Sequence, residues 1–512
     1  MAIHKGEYIM PEKQKRFQSL IKELSPNGSL IYAALILQRA AKKWPHKKAL
    51  ICKDLSITYE ELYQRATACT HELIQKGTKP KDRIVIIYEN SINFYIAYFG
   101  AWQAGAIVIP LNVYLHEKEL THIITESKPT LIIASPTQHK KLLKCSIDLP
   151  SIITPDFMAE KNPGPQNPLP SLDTKPNDCA VILYTSGTTG LPKGVMLSSK
   201  NILTNSCQAV SHFTVGNNER IYASMPLFHS YMQNGAVWGA LLAGATVIVI
   251  PKLTRSALLQ GLSHRPTLVL GIPQLYGLFC LFKTAPFPDV RLFVSGGDAL
   301  HNQIRRAFEL LYQRKIANGY GLTETSPFIS VDTNDRRSPT GYVGEPLYGI
   351  KTKIVKEELW VKGDNIMLGY YKSPTATKAI LENGWLKTGD LAYYYNDGIA
   401  LSGRKKDLII HKGFNIYPQE IENILTTHTK ILMAAVVGIT QKEEEVPVAF
   451  VSIRKGINYK EDELIKQLIE LCKENLATYK IPTKFYIRKE LPLTATGKVN
   501  KKKLKQELTQ QK

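Results

Sequence analysis

Residues 83–110, RIVIIYENSINFYIAYFGAWQAGAIVIP, decide the fold class. Arg83–Tyr88 is a β-branched run suited to a buried strand. Asn93–Gln103 carries the aromatic and small apolar residues of a buried helix. Ala104-Gly105-Ala106 ends that helix, and Ile107–Pro110 forms a second strand. Strand, helix, glycine turn and strand make the βαβ unit of a parallel sheet. Phe94–Leu111 and Gly235–Ile250 superficially look like membrane spans, but both fall short of about 20 uniformly apolar residues. Each reads as a helix, a glycine turn and a strand inside a soluble protein.

The alternation extends in both directions. The first 28 residues read as a helical leader ending at Pro26-Asn27-Gly28. Thr58-Tyr59-Glu60-Glu61 is a capping box that opens an amphipathic helix with Leu62, Ala66, Cys69 and Leu73 on one side. Glu117–Ser127 is helical and Thr130–Ala134 a strand. Residues 155–178, rich in Pro, Asn and Gly, form a connector, and alternation resumes from Ala180 to about Ser295. After Phe328 the pattern changes to short strands and turns, such as Ile350–Val355 and Glu358–Val361. Helical signals return at Tyr417–Thr426 and Lys460–Leu476. The expectation is an α/β protein: a large N-terminal domain over 1–402 with mostly parallel sheets flanked by helices, a polar, glycine-bearing hinge over 403–407, and a small, mobile α+β domain over 408–512.

Whole-chain numbers agree with that division. A chain of 512 residues is too long for one ordinary core, and 44% hydrophobic with 21% charged residues is a globular composition. The net charge is +21, with basic residues spread along the chain and densest at Lys501, Lys502, Lys503 and Lys505. No nucleic-acid-binding signature accompanies them, so no nucleic-acid partner is expected. Polyanionic small molecules, an anionic membrane surface and an acidic protein remain open as partners. The seven cysteines have long spacings and no Cys-x-x-Cys pair, which suggests neither a disulfide framework nor a zinc site. Met1–Lys15 lacks the apolar core of a signal peptide. A cytoplasmic monomer or homodimer is expected, with peripheral membrane contact as an option.

The segment with the clearest chemistry is Tyr184-Thr185-Ser186-Gly187-Thr188-Thr189-Gly190-Leu191-Pro192-Lys193-Gly194, after the apolar strand Ala180–Leu183. Its glycines let the backbone approach an anion, its hydroxyls supply donors and Lys193 supplies charge. That suits a triphosphate cradle, although the order is not that of a Walker P-loop.

This string resembles the phosphate-binding signature of the adenylate-forming superfamily, which includes acyl-CoA synthetases, peptide-synthetase adenylation domains and luciferases. Four further segments agree in order: Asn318–Thr325 (NGYGLTET), Trp385–Leu391 (WLKTGDL), Gly403–Asp407 (GRKKD) and Pro492–Lys498 (PLTATGK). The resemblance spans the chain from about residue 30. It implies that ATP phosphates bind Thr185, Ser186, Gly187, Thr188, Thr189, Gly190 and Lys193. Tyr320 would stack on adenine, lined by Gly296, Gly297, Asn318, Gly319 and Gly321. Thr323 would touch the α-phosphate and Glu324 would hold Mg²⁺. Asp390 would accept the ribose hydroxyls, supported by Arg404. Lys498 would stabilise the charge built up as a carboxylate attacks the α-phosphorus. Lys412, Gly413 and Phe414 would face the site during thioester formation, with Lys406 as the hinge about which the C-terminal domain turns.

The acid is harder to read. Gly413–Glu422 looks most like medium- and long-chain fatty acyl-CoA ligases, which implies coenzyme A as acceptor. Pro226–Tyr231 would border the acyl pocket, with His229 near the carboxylate or gating the pocket. The small residues Gly235, Ala236, Gly239 and Ala240 either leave room for an alkyl chain or let helix and sheet pack closely. Asn318 stands where relatives often have Gln, Ser199 where His is common, and Asp298 where a small residue is frequent. Transfer to an acidic carrier protein, an aryl or short-chain acid, and a non-enzymatic nucleotide-sensing or membrane-surface role are the alternatives. From Arg404 onward Lys and Arg number 21 against 13 Asp and Glu, a net of about +8 that suits an acidic carrier.

Overall fold

The computed structural model describes residues 11–510, except 146, 159–161, 165, 170, 171, 186–190, 283, 284, 334–338, 412, 413, 442, 443, 455 and 494–498. Two large sheets dominate. In the 14-stranded sheet, Lys48–Cys52, Thr246–Val249, Arg220–Ala223, Leu268–Gly271, Leu292–Ser295 and Ile316–Gly321 lie side by side and parallel. The sheet continues antiparallel through Phe328–Asp332, Tyr342–Pro346, Gly398–Arg404, Trp385–Tyr395, Glu358–Lys362 and Lys351–Val355. The seven-stranded sheet is parallel from Ser151–Ile153 through Leu131–Ala134, Arg83–Ile87 and Ile107–Pro110 to Cys179–Thr185. It ends on the antiparallel strands Lys193–Ser198 and Gly369–Tyr370.

Residues 83–110 fold as read: strand Arg83–Ile87, helix Ile92–Gln103, strand Ile107–Pro110. The helix is apolar all round because it lies between the sheets. Tyr95 donates to the Ala236 carbonyl at 3.1 Å, on the side of the 14-stranded sheet. Trp102 donates to the Ala180 carbonyl at 3.0 Å, in the other sheet. Gly100 permits close approach to the neighbouring helix Tyr59–Gln75, since a Cβ there would fall 2.6 Å from the Cys69 sulfur. The Thr58–Glu61 capping box forms in both directions, at 3.1 and 2.7 Å. No described helix is long and apolar enough to cross a membrane.

The helix expected before the second apolar strand is less regular than its sequence suggests. Gln233–Trp238 is a π-helical turn, followed by Gly239–Ala243 and the strand Thr246–Val249. The first two residues of the segment expected as a hinge, 403–407, belong to a strand. The strand Gly398–Arg404 runs through Arg404, paired with Asp390 in the large sheet, before a 3₁₀ turn at Lys405–Asp407.

Beyond it lies a smaller β-rich C-terminal domain with its own apolar clusters. Ile409, Ile421, Val451 and Leu464 form one, and Val437, Phe450 and Leu504 another. Its three-stranded sheet joins Ile431–Gln441, Glu444–Ile453 and Lys484–Arg488. Its helices are Pro418–Leu425, Glu461–Asn475 and Lys501–Gln510.

Candidate functional site

A cleft of about 2490 Å³ opens where the parallel strands of both sheets end. Ligands of open α/β sheets bind at such carboxyl ends. Arg220–Ala223 leads to Phe228–Tyr231, Leu292–Ser295 to Gly296–Ala299, and Ile316–Gly321 to Leu322–Glu324; all of these loops line the cleft. From the second sheet come Leu111, Thr185 and Lys193.

Thr185 and Lys193 face each other as the last register pair of the hairpin Cys179–Ser198. Ser186, Gly187, Thr188, Thr189 and Gly190, expected to grip phosphate between them, lie outside the described residues, as do Lys412, Gly413 and Lys498. Leu493 and Val499, which flank residues 494–498 in the sequence, pair across a β-bridge and line the cleft.

The segment after Gly321 turns sharply. A Cβ at Gly321 would collide with the Pro327 carbonyl, so only glycine fits that approach. The 3₁₀ turn Thr323–Thr325 then brings the Thr323 hydroxyl within 3.1 Å of Ser230 Oγ. Glu324 Oε1 accepts a 2.7 Å hydrogen bond from Tyr370. The same tyrosine ring faces the Lys193 ammonium at 5.5 Å, a cation–π distance. Strand pairing explains the arrangement: Tyr370 pairs with Val195, and Met367 N–H donates to the Glu324 carbonyl at 2.9 Å.

Asp390 is 4% exposed, and its carboxylate meets Tyr320 and Arg404. Tyr320 donates to Oδ2 at 2.5 Å, and Arg404 Nε lies 2.7 Å from Oδ1. Burial, and then the adjacent carboxylate, hold the Tyr320 phenol well above its ordinary range, so it stays a donor. Asn318 donates to the Tyr342 carbonyl at 2.8 Å, which commits its amide to the sheet. Gly296, Gly297, Asn318, Gly319, Tyr320 and Gly321 all line the cleft beside Asp390 and Arg404.

His229 also lines the cleft and caps the turn Ser230–Met232, its Nδ1 accepting from Tyr231 N–H at 3.2 Å. With Nδ1 an acceptor, a neutral ring carries its proton on Nε2. Lys406 lines the cleft from the turn after Arg404. Phe414 is not brought to the site: it is 54% exposed and stacks on Tyr479 at 4.7 Å. Ser199 is fully buried and accepts from Ala33 N–H at 3.0 Å, a packing role away from the cleft. Asp298 caps its own turn at Ala299 N–H, 2.9 Å, and accepts from Gln274 at 3.3 Å.

Of the small residues at 235–240, Ala236, Gly239 and Ala240 are buried, whereas Gly235 is part-exposed and a Cβ there would meet only the Leu270 side chain. Tyr370 is a site neighbour that the sequence reading missed, and Ser230, expected at the border of the acyl pocket, proves to brace Thr323. The only signal was a Gly-Tyr-Tyr run 46 residues after Glu324, with nothing in local pattern to connect the two.

A matching family model, the AMP-binding enzyme family, covers residues 37–371, and the model of the AMP-binding enzyme C-terminal domain covers 420–498. The chain is 29% identical to a long-chain-fatty-acid–CoA ligase of Bacillus subtilis (strain 168), covering 93% of this chain and 94% of that protein. It is 30% identical to a feruloyl-CoA synthase of Amycolatopsis sp over 90% and 96%. Among solved structures it resembles ATP-bound MatB from Rhodopseudomonas palustris, with a TM-score of 0.84 and 27% identity over 93% and 99%. With its site lying where the parallel strands of both sheets end and family models covering both of its parts, the chain belongs to the AMP-binding enzymes of the adenylate-forming superfamily.

Proposed function

We propose that this AMP-forming acyl-CoA ligase activates a medium- or long-chain fatty acid as its acyl-adenylate and transfers the acyl group to coenzyme A. One observation carries the adenylation site: Thr185, Lys193, Thr323, Glu324, Tyr320, Asp390 and Arg404, drawn from both sheets, meet in a single cleft.

In this reading the Asp390 carboxylate, held by Arg404 and Tyr320, receives the ribose hydroxyls. Lys193 and Thr185 meet the phosphates at the open end of their hairpin. Thr323, braced by Ser230, contacts the α-phosphate, and His229 faces the acid. Lys498 compensates the negative charge that accumulates as the carboxylate attacks phosphorus and pyrophosphate departs.

Glu324 suits Mg²⁺: one oxygen is held by Tyr370, and the other has no partner among the described residues. No group of three or more metal-ligating side chains occurs among those residues. A single carboxylate is nonetheless adequate, because Mg²⁺ on a nucleotide takes its other ligands from phosphate and water. When bound it neutralises phosphate charge.

The thiol then attacks the acyl-adenylate carbonyl directly and AMP leaves. The proposed turning of residues 408–512 about Lys406 within 403–407 would bring Lys412, Gly413 and Phe414 to the site for this step. Contacts across the cleft are polar, such as Arg454 to Gln303 at 3.0 Å and His301 to Asn423 at 3.1 Å. Such contacts exchange for water at little cost. Similarity to a feruloyl-CoA synthase at 30% identity supports a second reading, an aryl acid.

The test is carboxylate-dependent ATP–pyrophosphate exchange across acids of two to eighteen carbons plus benzoate and cinnamate, with Lys498→Ala as control. Exchange with longer acids, lost in the variant and followed by acyl-CoA formation, supports the reading; exchange with aryl acids alone refutes the fatty-acid assignment.

A further inference from the structure

The turn that carries Thr323 and Glu324 is held by three buried asparagines on separate segments. Asn205 lies in the helix Ser199–His212, Asn234 in the π-helical turn Gln233–Trp238, and Asn365 in the loop before the strand Gly369–Tyr370. None of the three has exposed surface. Asn205 clamps Phe328 twice, its Nδ2 donating to the carbonyl at 2.9 Å and its Oδ1 accepting from the N–H at 3.0 Å. Asn234 donates to the Ser326 carbonyl at 2.8 Å and to Asn205 Oδ1 at 2.9 Å. Asn365 donates to the Thr325 carbonyl at 2.9 Å, while its own backbone carbonyl accepts from Ser326 Oγ at 2.9 Å.

With Met367 N–H on the Glu324 carbonyl, the carbonyls of Glu324, Thr325, Ser326 and Phe328 each meet a donor from elsewhere in the chain. The Pro327 carbonyl accepts from Leu322 N–H at 3.1 Å, which closes the turn on itself. Ser326 stands at φ +69°, a left-handed conformation that needs such support. The Asn234 and Asn365 side-chain oxygens have no hydrogen-bond partner among the described residues. An amide buried with an idle oxygen is a costly way to fill space, so packing alone does not account for these residues. What the fold takes from them is N–H donors aimed at one turn. The segment 229–234 reaches that turn twice, through Ser230 at Thr323 and Asn234 at Ser326.

We propose that Asn205, Asn234 and Asn365 are positioning residues for adenylation. They form an amide clamp that fixes the 323–328 turn, and through it the metal contact of Glu324 and the α-phosphate contact of Thr323. The inference rests on the adenylation reading above. A glutamate held only by Tyr370 would still move with its own backbone, and the clamp removes that freedom. Misplacing a reacting group by about 1 Å costs up to about a hundredfold in rate, so the backbone under these side chains must be fixed as well.

Asn234→Ala and Asn365→Ala test it. Each removes donors from carbonyls, which tolerate a lost partner better than N–H groups do, and each spares the paired bonds of Asn205 to Phe328. Val210→Ala is the control, because it deletes buried apolar packing from the helix that carries Asn205. Glu324→Gln is the reference for loss of the metal site. Mn²⁺ binding in the presence of ATP is followed by electron paramagnetic resonance, beside thermal unfolding of every variant. Both asparagine variants should bind Mn²⁺ about fivefold or more weakly, the scale of one lost hydrogen bond. Val210→Ala should bind as the wild type does, whatever its unfolding temperature. Wild-type affinity in either folded asparagine variant, or an equal loss in Val210→Ala, overturns the clamp and leaves the adenylation site standing. Wild-type affinity in Glu324→Gln overturns both.

Discussion

Tyr370→Phe is the most direct probe of the metal and triphosphate end of the cleft. The change removes one hydroxyl and keeps the ring under Lys193, so the 5.5 Å ammonium contact survives. What is lost is the 2.7 Å hydrogen bond that fixes Glu324. A hydrogen bond to a charged group contributes about 1.5–3 kcal/mol, and holding a glutamate side chain in one rotamer costs about 1.5–2 kcal/mol. Both groups are half-buried, so water replaces part of the lost bond and the lower figures apply. At about 1.4 kcal/mol per factor of ten, the Mg²⁺ concentration for half-maximal pyrophosphate exchange should rise about tenfold. Maximal exchange at saturating Mg²⁺ should hold. Mn²⁺ binding in the presence of ATP, followed by electron paramagnetic resonance, should weaken in parallel, which a merely structural defect would not cause. An unchanged or lower Mg²⁺ requirement in a folded variant would refute the reasoning that Tyr370 positions Glu324.

Asp390→Asn keeps the shape but leaves Arg404 without its carboxylate, so AMP binding measured by calorimetry should weaken about tenfold or more; equal affinity would remove Asp390 from the nucleotide site. Gly344 has φ +77° and a Cβ there would overlap the Val331 backbone, so Gly344→Ala should cost at least about 1–3 kcal/mol in a denaturant midpoint, and an unshifted midpoint would contradict the strand geometry. Burial, with a smaller effect of Lys13, lowers the His212 pKa from 6.5 to about 4. The unfolded chain therefore binds a proton between those values while the folded chain does not, so this histidine's contribution to stability falls as pH drops from about 6.5 toward 4 and levels off below. His212→Phe should flatten that part of the stability profile, and an unchanged slope would show that His212 is not its source.

Much of this architecture could be read from order along the chain. The unit at Arg83–Pro110 and the capping box at Thr58 rest on local propensities that tertiary contacts do not override. The ordered motifs around Thr185, Tyr320, Asp390 and Arg404 identified the family, because phosphate and ribose demand particular residue types at nearly fixed places. Within the 403–407 segment, Gly403 and Arg404 look like linker, yet pairing with Leu391 and Asp390 extends the strand through them.

By itself the sequence determined which residues have the right chemistry and which segments alternate, since both depend on side-chain type and short-range periodicity. Only the tertiary structure decided which of them meet. Tyr370 reaches Glu324 through strand pairing with residues 193–198, and Asn318 turns its amide to Tyr342 across the sheet. The small residues at 235–240 could have framed an acyl channel or a packing seam; the fold buries Ala236, Gly239 and Ala240 and leaves part of Gly235 open. Free volume is a property of what side chains from distant segments do together, and no local pattern encodes it.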